Sequence, residues 1–192
     1  MPKLSEIITP FAKKLAMMPA SMKVLAMHLR NDNQITKGGR GRGAPKMTAA
    51  DGVNLMLAGM IIADAKDIAH YVHEARRMKP FPRGVYDDRL NSFRELTLGA
   101  ALDLIFERLV KAKPSEFGDI VFTFSQPLHY LQASLEIYDS SRSHLADLKY
   151  FQPETSDQGH DAAVFRYSMI DMAGMYDLAD IIAGRSSLER YK

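Results

Sequence analysis

The apolar positions near the N-terminus recur every four residues. Ile7, Phe11 and Leu15 show this spacing, which predicts a short amphipathic helix. Pro10 is tolerated only in the first turn of a helix because proline lacks an N–H donor. The helix therefore either begins with Thr9 as its N-cap or is kinked at Pro10.

A second apolar stripe follows the break at Met18-Pro19 and predicts a helix over residues 20–31. Its inward face holds Met22, Leu25, Ala26 and Leu29. Its outward face holds Lys23, Met27, Arg30 and Asn31. Two short helices joined by a tight turn, the second basic on its outer face, are typical of a helix-turn-helix DNA reader. A solvated surface helix of an ordinary domain has the same pattern.

The next residues predict a wing and then a long apolar helix. We expect residues 34–36 to form a short strand, residues 37–43 a flexible basic tip, and residues 44–47 a return strand. Thr48 and Asp51 form a capping box, since both side chains can satisfy free N–H groups at a helix N-terminus. The helix that follows is apolar nearly all round, which predicts a central or dimer-facing element. Residues 68–78 extend it or form a helix of their own.

The periodicity changes in the second half of the chain. Residues 98–109 predict a helix that stops before Pro114, and residues 120–125 and 131–137 alternate apolar and polar types as strands do. These two strands are most simply an antiparallel pair. Further strands are expected within residues 145–151 and 164–169. The last helix is predicted to run from Asp171 as N-cap to Ala183, with Gly184 as C-cap.

These elements predict an α+β protein of two domains. Residues 1–78 are expected to form a mainly helical, winged-helix-like domain that binds nucleic acid. Residues 79–94, which begin with Lys79-Pro80-Phe81-Pro82, are expected to be a linker. Residues 95–192 are expected to form a small α+β domain with an antiparallel sheet, serving dimerisation or binding of a partner or ligand.

Charge is distributed unevenly between the two ends of the chain. Residues 1–48 hold nine Lys and Arg against two acidic residues, a balance of +7. The remaining 144 residues hold sixteen basic and twenty-one acidic side chains, a balance of −5, within a net charge of +2. Only the first part therefore has a charge suited to a polyanion, although a solvated basic surface has the same composition.

The most basic segment, Arg40-Gly41-Arg42, is arranged as nucleic-acid grooves require. Glycine lets the backbone approach closely, and arginine fits a narrow minor groove or forks onto phosphate. The segment resembles the Arg-Gly-Arg-Pro core of minor-groove AT-hooks, although Gly43-Ala44 separates Arg42 from Pro45. A phosphate-binding nucleotide loop is disfavoured, because the spacing is not Gly-x-Gly-x-x-Gly and no Gly-Lys-Ser/Thr follows. A plain flexible glycine loop is the alternative.

The order of these features also resembles a known group of proteins. A turn with Pro19 and a helix running to Leu29-Arg30 come first. They are followed by Ile35-Thr36-Lys37-Gly38-Gly39-Arg40-Gly41-Arg42-Gly43-Ala44 and then by Met47-Thr48 and Asp51. This order, over about residues 4–65, resembles the N-terminal helix-turn-helix or winged-helix-like region of small regulators of proteobacterial phages and prophages. The chain departs from that pattern at Asn31-Asp32-Asn33, where a glycine is expected. The resemblance implies DNA binding.

Several chemistries have little support in the sequence. The chain has no cysteine, which excludes disulfides, thiol catalysis and thiolate metal sites. His70, His73 and Glu74 lie on neighbouring helical positions but lack the order of a zinc protease, so we expect a polar helix face and no metal. No serine lies in a nucleophile elbow. We therefore predict a protein without enzymatic activity and without a cofactor.

The location follows from the same composition. No apolar run approaches the roughly 18 residues that a membrane span needs, and the N-terminal residues lack an uninterrupted hydrophobic region with a small-residue cleavage site. We expect a cytoplasmic protein of a bacterial cell, associated with the nucleoid when bound and making no membrane contact.

These observations favour a DNA-binding regulator of transcription that acts as a homodimer, with duplex DNA as its partner. Lys23, Arg30 and Asn31 are expected to face base edges or phosphates. Mainly electrostatic affinity is expected from Lys37, Arg40, Arg42 and Lys46.

Two other classes of protein stay open. One is a phage-encoded interaction protein, an inhibitor or adaptor that applies the basic segment to an acidic surface of a host protein. The other is an RNA-binding protein, in which aromatic side chains of the C-terminal half stack on bases. The candidate stacking groups are Tyr130, Tyr138, Tyr150 and Phe151.

Overall fold

The computed structural model describes residues 2–37, 45–81, 88–111, 119–127, 131–138, 144–151 and 165–185. The helices are α1 (Leu4–Lys14), α2 (Pro19–Asn31), α3 (Ala49–Met60), α4 (Ile68–Arg77), α5 (Leu98–Lys111) and α6 (Met172–Ala183), with a 3-10 helix at Asp88–Phe93. The strands are β1 (Lys79–Pro80), β2 (Asp119–Pro127), β3 (Gln132–Tyr138), β4 (His144–Phe151) and β5 (Phe165–Asp171). The predicted α+β class is confirmed.

The strands form one antiparallel sheet in the order β1-β4-β3-β2-β5. The predicted antiparallel pairing of β2 and β3 is confirmed, and both further strands form where they were expected. One face of the sheet is buried and apolar, with Phe122, Phe124, Leu135, Leu148, Tyr150 and Ile170 upon it. On the other face Thr123 and Ser134 hydrogen bond to each other and to Glu136.

Both of the first two helices end with a residue in the left-handed backbone conformation. Ala16 follows α1 with φ 52°, and Asn33 follows α2 with φ 61°. The Gln34 N–H donates back to the Leu29 carbonyl oxygen, 2.9 Å away, which closes a Schellman motif at the end of α2. Asparagine replaces the expected glycine there because it tolerates this conformation better than other non-glycine residues do.

Proline occupies different positions in α1 and α2. Pro10 lies inside α1, so the alternative in which the helix begins at Thr9 is wrong. Pro19 occupies the first position of α2, with Met18 as the N-cap, where its missing N–H has no intrahelical partner to lose. The tight turn between α1 and α2 that a helix-turn-helix requires is present at residues 15–18.

The predicted capping groups are confirmed at α3 and α6. The Thr48 hydroxyl accepts from the Asp51 N–H, and the Asp51 carboxylate accepts from the Thr48 N–H. Asp171 accepts from the Gly174 N–H at 2.8 Å, and Gly184 ends α6 with φ 73°. Helix α3 stops at residue 60, so α4 is a separate helix.

The two strands predicted for the wing are not formed in the described residues. Residues 34–37 and 45–48 are turn or irregular, because other groups take their backbone hydrogen bonds. The Thr36 and Thr48 N–H groups both donate to the Asp51 carboxylate, and the Met47 N–H donates to the Pro2 carbonyl oxygen. Residues 38–43 of the predicted tip lie outside the described residues.

The helices of both predicted domains contribute to one hydrophobic cluster. Helix α3 is buried nearly all round, as predicted, by α2, α4, α5 and α6. Lys79–Pro80 pairs with β4, and Phe93 is buried in the same cluster, so parts of the predicted linker belong to the fold. The division into domains at residues 79–94 stays a prediction.

Candidate nucleic-acid interface

The packing of α2 decides which of its side chains face solvent. Met22, Leu25 and Leu29 are buried, and the helix contacts α1, α3 and α4 through that side. Lys23 and Asn31 are exposed on the opposite side, and Arg30 is half-buried. The structure therefore places all three predicted α2 residues outside the core, on one helix.

The centre of this outer face is mostly apolar. At about 100° per residue, Ala20, Val24, Met27 and Asn31 lie within about 30° of the line opposite the buried face. Val24 is 42% exposed and Met27 is 50% exposed. The sequence pattern gave Val24 no role, although its spacing from Ala20 and Met27 is sufficient to place it on this face.

The basic side chains of α2 lie to one side of this centre. Lys23 and Arg30 lie about 70–90° away from it, on the same flank. Helix α2 contains no acidic residue, and its first turn has no side-chain cap. The positive end of the helix dipole lies at this N-terminus, whereas Arg30 lies in the last turn, at the negative end.

Lys37 joins the C-terminal end of the same face. Its Nζ donates to the Asn31 carbonyl oxygen at 3.3 Å, which places this cation beside the last turn of α2. We call residues 37–47 the basic segment. Lys46, near its C-terminal end, is exposed. Arg40 and Arg42 lie outside the described residues.

A single buried carboxylate holds both ends of the basic segment. Asp51 is only 4% exposed and accepts from the N–H and hydroxyl of Thr36 and from the N–H and hydroxyl of Thr48, at 2.7–2.9 Å. Thr36 and Thr48, which flank residues 37–47, are therefore held at one point, the N-terminus of α3. We call this arrangement the Asp51 clamp.

Polar contacts also hold Gln34, which follows the C-terminal end of α2. Asn54 of α3, which is buried, donates to the Gln34 carbonyl oxygen and accepts from Arg76 at 2.8 Å. Arg76 in turn pairs with Asp103 of α5. The Gln34 side chain donates to the Ala69 carbonyl oxygen at 2.6 Å. These contacts connect the residues that follow α2 to α3, α4 and α5.

The other candidate groups do not assemble into a site. His70 and His73 are exposed, and Glu74 lies 3.6 Å from Arg77. Across the described ranges, no three His, Asp or Glu side chains are close enough together to hold a metal ion. No helix in the described part of the chain is long and apolar enough to cross a membrane.

The predicted stacking role of Tyr150 is wrong. Its ring points into the core and is fully buried, because Tyr150 shares the inner face of the sheet with Leu148. It cannot stack on a base without leaving the core. Tyr130 lies outside the described residues, and the side chains of Tyr138 and Phe151 are not described.

The chain matches no model of a known protein family, no curated protein and no solved structure in the comparisons made with each.

Proposed function

We propose that this protein binds duplex DNA and regulates transcription, with α2 as its reading helix. The observation that carries the proposal is the outer face of α2: exposed, free of acidic residues, flanked by Lys23 and Arg30, and continued by Lys37. Its position directly after α1 and a four-residue turn is that of the second helix in a helix-turn-helix.

The dimensions of α2 suit the major groove. Thirteen residues give a helix about 20 Å long, and the major groove, about 12 Å wide, admits an α-helix. Asn31 is the residue type that pairs with adenine, and Lys23 and Arg30 can reach guanine or phosphate. We infer that α1 crosses the backbone while α2 enters the groove.

The basic segment between Thr36 and Thr48 has a supporting role in this proposal. The Asp51 clamp anchors its two ends, and the contact of Lys37 with Asn31 places its start beside α2. We propose that Arg40, Arg42 and Lys46 contact the backbone or the adjacent minor groove. This contact strengthens binding without selecting a sequence, because phosphate contacts carry no direct sequence information.

A salt titration of binding tests the assignment. Fluorescence anisotropy with a labelled duplex measures the affinity of the wild-type protein and of Lys23→Ala with Lys37→Ala across a range of salt concentrations. We expect the double variant to bind more weakly and its salt slope to fall by about 2, one for each lost phosphate contact. Lys111→Ala, at the exposed end of α5, is the matched control and should keep the wild-type slope.

The same titration examines the glycine–arginine segment. Arg40→Ala with Arg42→Ala should also reduce the slope by about 2. An unchanged affinity and slope would remove the segment from the proposed interface. An unchanged salt slope in the variant that lacks Lys23 and Lys37 would mean that α2 is not part of the proposed interface.

Dimerisation is part of the proposal, since a single small reader gains affinity and half-site spacing by pairing. Sedimentation measures the oligomeric state. We expect a homodimer, formed through the C-terminal half. The phage or prophage origin implied by the resemblance also stays a prediction.

The exposed apolar side chains of α2 support a second candidate, an interaction protein that binds an acidic and apolar surface of a host protein. Met18 is 69% exposed at the N-cap, and Val24 and Met27 are exposed on the helix. Nuclease-treated co-purification distinguishes the two. Recovery of one host protein, together with no duplex binding at low salt, would favour this candidate.

A further inference from the structure

The outer face of α2 places apolar side chains where a DNA-reading helix places its base contacts. In the described part of the chain, six large apolar side chains are exposed, and Met18, Val24 and Met27 of these belong to α2 and its N-cap. Val24 and Met27 lie at the centre of the outer face, whereas Lys23 and Arg30 lie on its flank. A partner that occupies this face therefore contacts Val24 and Met27.

The charge around these apolar groups selects the occupant. Helix α2 itself contains no acidic residue, Lys23 and Arg30 lie on one flank of the centre, and Lys37 lies with the C-cap Asp32 at its C-terminal end. A partner that fits this face combines negative charge with apolar groups. Duplex DNA provides both, because the C5-methyl of thymine is the apolar group that projects into the major groove.

We propose that α2 reads thymine methyl groups through Val24 and Met27, so that the DNA target of this protein is rich in A·T pairs at the α2 contact. The inference rests on the proposed DNA-binding function and extends it to the chemistry of the site. Asn31, on the same central line, fits the adenines of such a target, because its amide pairs with adenine N6 and N7.

Removal of the methyl group alone tests the proposal. The probes are two duplexes of roughly 21 base pairs, about two helical turns, one of alternating adenine and thymine and one with uracil in place of every thymine. Base pairing and the minor groove stay the same, and only the major-groove methyl is lost. The wild-type protein should bind the uracil duplex about fourfold more weakly if one methyl contact is lost, and roughly sixteenfold more weakly if two are lost.

The variants Val24→Ser and Met27→Ser assign the effect to α2. Both side chains are exposed, so the substitutions leave the core intact, and circular dichroism verifies the fold. The combined variant should bind the two duplexes equally. Met169→Ser, at a methionine 62% exposed on β5, is the matched control and should keep the wild-type preference.

A duplex of inosine and cytosine separates the two grooves. It lacks the guanine amino group and so keeps a minor groove like that of A·T pairs, but it has no thymine methyl. Weak binding to this duplex supports reading through the major groove, where the methyl group lies. Binding equal to that of the thymine duplex contradicts the proposal, as would equal binding of the thymine and uracil duplexes. A preference that survives in the Val24 and Met27 variant also contradicts it. Absence of binding to every duplex at low salt would instead reject the proposed function itself.

Discussion

Ala16 occupies a backbone conformation that favours glycine, in the turn that joins α1 to α2. Its φ of 52° costs a residue with a Cβ about 1–2 kcal/mol, while glycine adopts it freely. Ala16→Gly should therefore raise the free energy of unfolding by about 0.5–1 kcal/mol, after the larger entropy of glycine in the unfolded chain is deducted. Urea denaturation measures the change. Ala100→Gly, at an exposed position inside α5, is the control and should lower stability by about 1 kcal/mol.

Tyr150 is a buried residue whose hydroxyl group finds no hydrogen-bond partner among the described residues. An unpartnered buried hydroxyl costs stability, so Tyr150→Phe should be as stable as the wild type at pH 7 or more stable by about 1 kcal/mol. A loss above about 1 kcal/mol would mean that the hydroxyl makes a favourable contact.

Burial also gives Tyr150 a pH dependence. It raises the pKa of the Tyr150 phenol above its ordinary value of 10.0. Above pH 10 the unfolded chain loses this proton and the folded protein keeps it, so the wild-type free energy of unfolding falls by up to about 1.4 kcal/mol per pH unit. Tyr150→Phe removes this contribution. Urea denaturation from pH 8 to 11 should show that the free energy of unfolding of the variant, relative to that of the wild type, increases only above pH 10.

Among the elements, the N-terminus of α3 makes polar contacts with the residues on both sides of the basic segment. The Asp51 clamp caps this helix and holds Thr36 and Thr48 at the two ends of the basic segment. Asp51→Ala leaves the N–H and hydroxyl donors of Thr36 and Thr48 without their shared acceptor, and should lower the free energy of unfolding by about 2–4 kcal/mol. Thr36→Val removes only one hydroxyl donor and should cost about 1 kcal/mol. Urea denaturation ranks the two variants.

Hydrogen exchange gives the clamp a second readout. The Thr36 N–H, 2.7 Å from the Asp51 carboxylate, should exchange slowly in the wild type and at least tenfold faster, by order of magnitude, in Asp51→Ala. Thr97→Val is the control, because the Thr97 hydroxyl accepts a single bond at 3.4 Å at the start of α5. Equal exchange at Thr36 in both variants would contradict the clamp.

Signals carried by neighbouring residues were predictable from the sequence. The capping groups Thr48 and Asp171 and the terminating Gly184 act within a few positions of themselves, so residue type and spacing specify them. The absent wing strands were not predictable, because Thr36 bonds to a carboxylate fifteen residues later, and such a tertiary contact leaves no periodic pattern. The exposure of Val24 was not predictable, because an apolar residue type ordinarily indicates the core.

At the scale of the whole molecule, the helices that surround α3 come from both ends of the chain. Gly52 of α3 lies so close to α6 that a Cβ at this position would be 2.8 Å from Ile182 Cγ1 and 3.5 Å from Phe106 Cε1. The N-terminal part of the chain therefore packs directly on the C-terminal part, and the basic surface on α2 is built against the same core as the sheet.

A double-mutant cycle across this contact tests the shared core. Gly52→Ala should cost about 1–3 kcal/mol by overpacking, and Ile182→Ala about 2–5 kcal/mol by leaving a cavity. Because the smaller side chain makes room for the new methyl, the double variant should lose at least about 1 kcal/mol less than the sum. Gly52→Ala combined with Leu148→Ala, on β4, is the control and should be additive. Additivity in the Gly52 and Ile182 pair, together with two separate urea transitions, would mean that the two parts fold independently and that α2 is supported by the N-terminal helices alone.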